Sequence, residues 1–249
     1  MTDTPQPSHG AGAALPPLYI HDSVGVCGVR NDTRTLAEAA AASAAPGRGL
    51  DLGAGTGYVG LYLAQRGWQV DAVDVSARAV ELAQANAARN RLAGEGPGRM
   101  RVYLSNLFDQ VDGQFDVIAF NPPMRPDETE LSRIVTSLLR RSPRVSAALM
   151  RLAGARFEGS RSGFLAEVVA SARQHLRPAG RLVLAISDDE ARELARLPGV
   201  QRGRTWPIPD MPRQEIVELS FGKEGSEECK TDHDRGQDLR SSDKSVDHG

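Results

Sequence analysis

Two short segments about seventy residues apart hold the side chains and turns with which this chain can do chemistry. The first is Asp51-Leu52-Gly53-Ala54-Gly55-Thr56-Gly57. Its alternating glycines let the backbone turn tightly and approach a ligand with no Cβ in the way. A helix starting near Gly57 would point its first amides into the same crevice. Asp74 ends the next apolar run, twenty-one positions after Gly53. A carboxylate there can accept hydrogen bonds from both hydroxyls of a ribose. The segment therefore suits a nucleoside-bearing cofactor, with Asp51 placing a second carboxylate near a cationic part of the ligand.

The second segment is Asn121-Pro122-Pro123-Met124, directly after the apolar run Phe115–Phe120. Asn121 offers a side-chain carbonyl, and Pro122 a backbone carbonyl fixed by the proline that follows. Two acceptor oxygens on a rigid turn suit a planar nitrogen that bears N–H. Accepting from that N–H favours the pyramidal, more nucleophilic form, and the stiff turn leaves little ordering for the transition state. Alkylation of such a nitrogen needs no strong base, because the proton leaves after the new bond forms. The lack of a His or Lys dyad is thus no objection, and Asn121 and Pro122 are the expected catalytic pair.

Simpler explanations fit less well. A strand-ending turn accounts for Asn and Pro at one site, but not for the glycine loop and Asp74 as well. Gly55-x-Gly57-x-x-Gly60 also satisfies a dinucleotide fingerprint. A carboxylate at Asp51 would sit awkwardly beside a pyrophosphate, however, and Asn121-Pro122-Pro123 would have no purpose.

The surrounding pattern supplies elements to hold both segments. Helices are expected from Asp32 or Thr33 to Ala45, with Asp32 as cap and Pro46-Gly47 as stop, and over Tyr58–Gln65. Ser76 is expected to cap a helix running to about Arg91, and a further helix spans Phe164–Leu176, closed by Pro178 and Gly180. Strands are expected at Leu50–Gly53, Val70–Asp74, Arg101–Leu104, Phe115–Phe120 and Arg181–Ile186, the last leading into a helix capped by Ser187 or Asp188. A terminal antiparallel pair is expected at Val200–Thr205 and Glu215–Phe221. Such alternation predicts an α/β fold, a doubly wound and mostly parallel sheet with helices on both faces. Ligands bind these sheets at strand carboxyl ends, where both key segments fall.

The 249 residues fit one domain, and 40% apolar content with only 5% aromatic points to a core of Ala, Val and Leu. Net charge of -2 gives no global field toward nucleic acid or membrane. Cys27 and Cys229 form no metal spacing or disulfide framework, which suits a reducing cytoplasm. There is no basic-then-apolar leader and no run of membrane-spanning length. Residues 1–17 are rich in Pro, Gly, Ala and Ser, and 223–249 are nearly free of large apolar residues; both are expected to be disordered. The folded unit is read as 18–222. Within it, 124–163 is a locally basic connection carrying Arg125, Arg133, Arg140, Arg141, Arg144, Arg151, Arg156 and Arg161, a candidate substrate lid. Trp68 and Trp206 fit either packing or a substrate wall, and His21 and His175 lack metal-type neighbours.

The glycine loop, the Asp74 strand end and the Asn-Pro-Pro turn together resemble the class I S-adenosylmethionine-dependent methyltransferases that modify amino or amide nitrogens. The chain is most similar to the HemK-type group of the "methyltransferase small" superfamily. Val29-Arg30-Asn31-Asp32-Thr33 is similar to the R-x-D-T segment those enzymes place before the cofactor loop. Gly159-Ser160-Arg161-Ser162-Gly163 resembles their Gly-x-x-G ahead of a helix, and Gln214-Glu215-Ile216-Val217-Glu218 their terminal strand. The resemblance implies a Rossmann-like, seven-stranded sheet and S-adenosylmethionine as cofactor, with no metal. It implies that Asp51, Gly53, Gly55, Gly57, Asp74, Val75, Asn106, Leu107, Asn121 and Thr33 line the cofactor, Asn106 or the Leu107 backbone meeting the adenine. The acceptor it implies first is a protein glutamine, a release factor being one such protein; adenine N6 of RNA or DNA and a small molecule follow. A catalytically silent cofactor-binding protein is the alternative from another class. The family usually has Tyr where Met124 stands, and Met lacks a flat face for a planar acceptor.

Overall fold

Successive side chains of a strand point to opposite faces, and near-continuous apolar runs such as Val117–Phe120 are buried on both. The computed structural model describes residues 15–123 and 161–222. Strands β1 (Arg48–Leu52), β2 (Gln69–Asp74), β3 (Arg99–Leu104), β4 (Phe115–Phe120), β5 (Leu176–Ser187), β6 (Val200–Pro207) and β7 (Gln214–Phe221) form one sheet in the order β3-β2-β1-β4-β5-β7-β6. β1 to β5 run parallel, and β7 pairs antiparallel with both β5 and β6. The expected doubly wound sheet with an antiparallel terminus is the fold observed.

Helices α1 (Asn31–Ser43), α2 (Tyr58–Ala64) and α3 (Ala77–Arg89) cover one face, burying Leu36, Leu61, Val80 and Ala83 against Val70, Ala72, Met100, Val117 and Val183. Helices α4 (Arg161–His175) and α5 (Asp188–Leu194) cover the other, where Leu165, Val168, Ala172 and Leu194 meet Leu50, Leu52, Ile118, Phe120 and Leu184. Trp68 is wholly buried in the first layer, which makes it a packing residue. Trp206 is partly buried there, with the Arg204 guanidinium 5.2 Å from its ring centre. Ser76 caps α3 as expected, and Ser187 forms a capping box with Glu190 on α5.

Several expectations need correction. Asp32 does not cap α1; the helix already begins at Asn31, and the Asp32 carboxylate is turned inward to other partners. The same helix ends at Ser43, because Ala44 is extended toward β1. Pro178 and Gly180 do not close a helix. α4 stops at His175, and both residues lie in the early part of β5, where its register against β4 shifts between Phe115 and Val117. Proline is tolerated at such an irregularity. The Gly159–Gly163 segment is not wholly ahead of its helix either, since Gly163 sits in the first turn of α4. Met124 and the expected lid through residue 160 lie outside the described residues, as do 1–14 and 223–249.

The strand order positions the site. The chain winds outward from β1 through β2 to β3, then returns to β4 on the opposite side of β1. The crossovers diverge between β1 and β4 and leave a crevice at their carboxyl ends. The glycine loop leaves β1 and the Asn-Pro-Pro turn leaves β4, so both open onto it.

Candidate active site

Leu52 of β1 is the register partner of Phe120 of β4. The next residues, Gly53 and Asn121, therefore start their turns about one inter-strand spacing apart, roughly 4.8 Å. Gly53 has φ +70°, and a Cβ there would lie 3.3 Å from the Phe120 ring. A side chain would be strained and crowded, so the glycine is needed. Gly55 and Gly57 also take positive φ, and the turn is tied by Ala54 N–H to Val73 O (2.9 Å) and Gly57 N–H to Ala54 O (2.7 Å).

Asp74, half-buried at the end of β2, accepts from Gly55 N–H at 3.0 Å through Oδ2 and from Ser76 N–H at 2.8 Å through Oδ1. A carboxylate has about four acceptor positions, so it braces the loop and keeps capacity for a diol. Val75 beside it is 44% exposed, an apolar surface at the mouth of the crevice. Asn106 and Leu107 follow β3; Leu107 has φ +48°, and its carbonyl accepts from the Ser105 hydroxyl at 2.8 Å. Among the described residues the Asn106 side chain makes no hydrogen bond.

Asp51 lies deeper than its place in the motif suggests. It is 3% exposed, and its Oδ2 accepts from Gly60 N–H of α2 at 2.8 Å. Burial pushes its carboxyl up to about 7; the Gly60 bond opposes that rise and the Asp74 charge adds to it. A Cβ on Gly60 would lie 2.5 Å from Met100 Sδ and 3.2 Å from Asp51 Oδ2. This third glycine of the dinucleotide-like spacing therefore serves helix–strand packing and the Asp51 contact.

Asn121 is half-buried, and its Nδ2 donates to Asp32 Oδ2 at 3.2 Å. Asp32 is 1% exposed and also accepts from Arg30 Nη2 (2.8 Å), Thr33 N–H (2.7 Å) and the Thr33 hydroxyl (3.2 Å). Burial pushes the Asp32 carboxyl up, but these donors outweigh it and hold the group below the usual carboxylate range. Thr33, expected at the cofactor, thus has its amide and hydroxyl turned to Asp32.

Pro122 is buried, and the Pro123 carbonyl accepts from Arg161 Nη1 at 2.6 Å. The same guanidinium is paired through Nε with Glu190, whose carboxyl is pushed up by burial yet held low overall by Arg161 and the Ser187 donors. The sequence counts Arg161 among the free charges of a basic lid. Its side chain is 16% exposed and joins α4, α5 and the Asn-Pro-Pro turn instead.

An N-terminal strap completes the site and has little signature in the sequence. Asn90 bonds both Tyr19 N–H (2.9 Å) and Tyr19 O (2.8 Å). One turn earlier, Asn86 bonds His21 N–H (2.9 Å), His21 O (3.1 Å) and Thr56 O (2.9 Å). The strap then crosses the glycine loop, with Cys27 O and Val26 Cγ1 each 3.8 Å from where a Gly55 Cβ would be. An asparagine on the face shared by Val80, Ala83 and Ala87 is the one signal the sequence offers. Among the described residues no group of three or more His, Cys, Asp or Glu could hold a metal, and no helix is long and apolar enough to cross a membrane.

A sheet of this topology, with a glycine cradle beside an Asn-Pro-Pro turn, defines a Rossmann-like methyltransferase fold. Residues 26–148 match the family model of the methyltransferase small domain, and over that stretch the chain is similar to S-adenosylmethionine-dependent methyltransferases. It is 36% identical over 98 residues to ribosomal RNA small subunit methyltransferase C of Alcanivorax borkumensis, covering 39% of this chain and 28% of that protein. It is 43% identical over 76 residues to the release factor glutamine methyltransferase of Agrobacterium fabrum, covering 30% and 25%. A longer alignment, 28% identical over 183 residues and covering 69% and 68%, joins it to the tRNA1(Val) (adenine(37)-N6)-methyltransferase of Parabacteroides distasonis. The chain thus spans under a third of the length of the first two relatives. Among solved structures, magnesium protoporphyrin IX methyltransferase of Synechocystis PCC 6803 with bound SAM shares the fold at TM-score 0.51 and 17% identity, over 77% of this chain and 80% of that one.

Proposed function

We propose that this chain methylates a planar nitrogen, using S-adenosylmethionine held across the β1–β4 crevice and Asn121 and Pro122 to receive the acceptor. The observation that supports it best is the Leu52–Phe120 register, which sets the glycine loop and the acceptor turn side by side. The cradle fits the cofactor on its own geometry: three glycines of positive φ turn the backbone tightly after β1, Asp74 has acceptor capacity for a ribose, and Val75 offers an exposed apolar surface. S-adenosylmethionine supplies, when bound, a methyl group on a sulfonium.

The chain's own residues do the rest. Asn121 Oδ1 and the Pro122 carbonyl accept the N–H groups of the acceptor and direct its lone pair toward the cofactor loop. The nitrogen is thereby drawn toward the pyramidal form, and its proton leaves to solvent once the new bond has formed. The buried Pro122 and the Arg161 bond to Pro123 keep the turn from rearranging. Cofactor contacts are assigned to Asp51, Gly53, Gly55, Gly57, Asp74, Val75, Asn106 and Leu107, whereas Thr33 is committed to Asp32 and Asn121 to Asp32 and the acceptor.

A protein glutamine amide is the first acceptor, the group named for the Agrobacterium relative and the one the HemK-type motifs imply. The adenine amino group of RNA is the second, favoured by the alignment over 183 residues with the tRNA enzyme. Radiolabelled S-adenosylmethionine and a cell extract divided into nuclease-treated and protease-treated halves separate the two. Label surviving nuclease marks protein, and label surviving protease marks nucleic acid. Label in neither half, with cofactor binding intact by calorimetry, would leave a silent cofactor-binding protein.

A further inference from the structure

We propose that Asp32 is a positioning residue for the transfer: by taking the Nδ2 hydrogen of Asn121 it holds the amide with Oδ1 toward the acceptor nitrogen. This rests on the acceptor role proposed for Asn121. The two ends of a side-chain amide are nearly the same size, and only their donor and acceptor character differs. Oδ1 facing the acceptor can receive its N–H; Nδ2 facing it would set N–H against N–H.

Asp32 decides between these orientations. Its Oδ2 is 3.2 Å from Asn121 Nδ2, and an ionised carboxylate only accepts. The reversed amide would bring Oδ1 against Oδ2 with no hydrogen between them. At 1% exposure, little water can fill the gap. Arg30 and Thr33 fix the carboxylate from its other sides, so the pair cannot turn together. Oδ1 serves Thr33, and Oδ2 serves Arg30 and Asn121. As the nitrogen gains the methyl group its N–H becomes more acidic, and a correctly held Oδ1 gains strength in the transition state.

An exchange of charge between the two positions tests this. In Asp32→Asn the new amide donates to Asn121 Oδ1 and turns Nδ2 toward the acceptor. Turnover should fall tenfold or more, on the scale of the roughly 10²–10³-fold seen on removing an oxyanion donor, while the cofactor Kd moves less than about twofold. Asn121→Asp sets two carboxylates against each other and should be similarly impaired. In the double variant D32N/N121D, the amide now at position 32 keeps its oxygen for Thr33 and donates through its nitrogen to the carboxylate now at position 121, while the half-exposed Arg30 guanidinium, a donor that this nitrogen cannot receive, turns to solvent. The second oxygen of that carboxylate again faces the acceptor. Turnover of the double variant should exceed either single variant by about tenfold, reversing most of the loss expected for one misplaced polar group. A merely structural Asp32 predicts no such recovery.

Turnover is read with labelled S-adenosylmethionine on the extract fraction that the wild-type chain labels. The side-chain amide of Asn121, followed by NMR in chain carrying ¹⁵N-asparagine, gives a reading that needs no acceptor. One of its protons should be shifted and protected from exchange in the wild type, and lose both properties in Asp32→Asn. Full turnover in Asp32→Asn, a double variant no better than the singles, or an amide signal indifferent to Asp32→Asn would each overturn the proposal. A wild-type chain that labels no fraction overturns the proposed function instead, and the amide signal still decides the orientation.

Discussion

Asp74 Oδ2 accepts the amide hydrogen of Gly55 at 3.0 Å, nineteen residues away in sequence, joining the end of β2 to the glycine turn after β1. One carboxylate thus shapes the turn and stands ready for a ribose. The loop geometry and the cofactor affinity depend on the same side chain, so they should fail together.

Asp74→Ala should weaken S-adenosylmethionine binding by at least one charge-assisted hydrogen bond, worth roughly 1.5–3 kcal/mol, and should also release Gly55. Titration calorimetry gives the affinity, and amide exchange at Gly55 reports the turn. Unchanged affinity with a loosened turn would remove Asp74 from the ribose.

Asp51 makes the opposite use of a carboxylate. A group with a folded pKa of about 7 against an ordinary 3.8 is favoured by folding while protonated. Its contribution is complete below about pH 4 and is lost as pH rises through about 7, at roughly 1.4 kcal/mol for each pH unit between those limits. Asp32 and Glu190, held low, act in the reverse sense: their contribution is present above the ordinary carboxylate range and is lost as pH falls through their folded values. The difference between Asp51→Asn and the wild type isolates the buried group. Urea midpoints should diverge in favour of the variant between pH 4 and 8; parallel curves would mean that Asp51 is ionised throughout.

How much of this is legible in the sequence follows from how local each signal is. The runs at Val70–Asp74 and Phe115–Phe120 specify strands because a short, nearly continuous apolar stretch buried on both faces is written in the strand itself. Ser76 and Ser187 announce their helices because a cap bonds two or three residues ahead. The acceptor turn is legible for the same reason, as Pro122 and Pro123 stiffen their own backbone. Asp32 reads as a cap because a short polar side chain near a helix start usually is one. Its actual partner Asn121 lies eighty-nine residues on. Arg161 reads as one more lid arginine until α5 brings Glu190 beside it. Side-chain bonds of this reach leave no mark on local spacing.

The strap depends on Asn86, which is fully buried and whose side chain makes three bonds, all to backbone. Asn86→Ala leaves His21 N–H, His21 O and Thr56 O to find water or remain unmet, at about 1–3 kcal/mol for each that stays buried. A lowered melting temperature and rapid amide exchange at His21 are expected, along with weaker cofactor binding, since Val26 and Cys27 would no longer rest over Gly55. Stability equal to the wild type would show that the Asn90–Tyr19 bonds and the packing of Leu18 and Ile20 suffice to hold the strap.

Arg161 offers a way to loosen the acceptor turn without touching the cofactor loop. Its Nη1 holds the Pro123 carbonyl at 2.6 Å, and its Nε is paired with Glu190 in the first turn of α5. Arg161→Met keeps the apolar stem but removes both contacts, leaving the Glu190 carboxylate to the Ser187 donors. The loss of a partly buried ion pair is expected to cost on the order of 1–3 kcal/mol of stability. Lys at this position restores charge yet cannot span both partners with one planar fork. If Arg161 acts by holding the turn, Arg161→Met should lower kcat severalfold with cofactor Kd unchanged, and Arg161→Lys should recover stability more than turnover. Equal recovery of both by Lys would reduce Arg161 to a helix-pairing charge, and a parallel loss of cofactor affinity would mean that the two halves of the crevice are not independent.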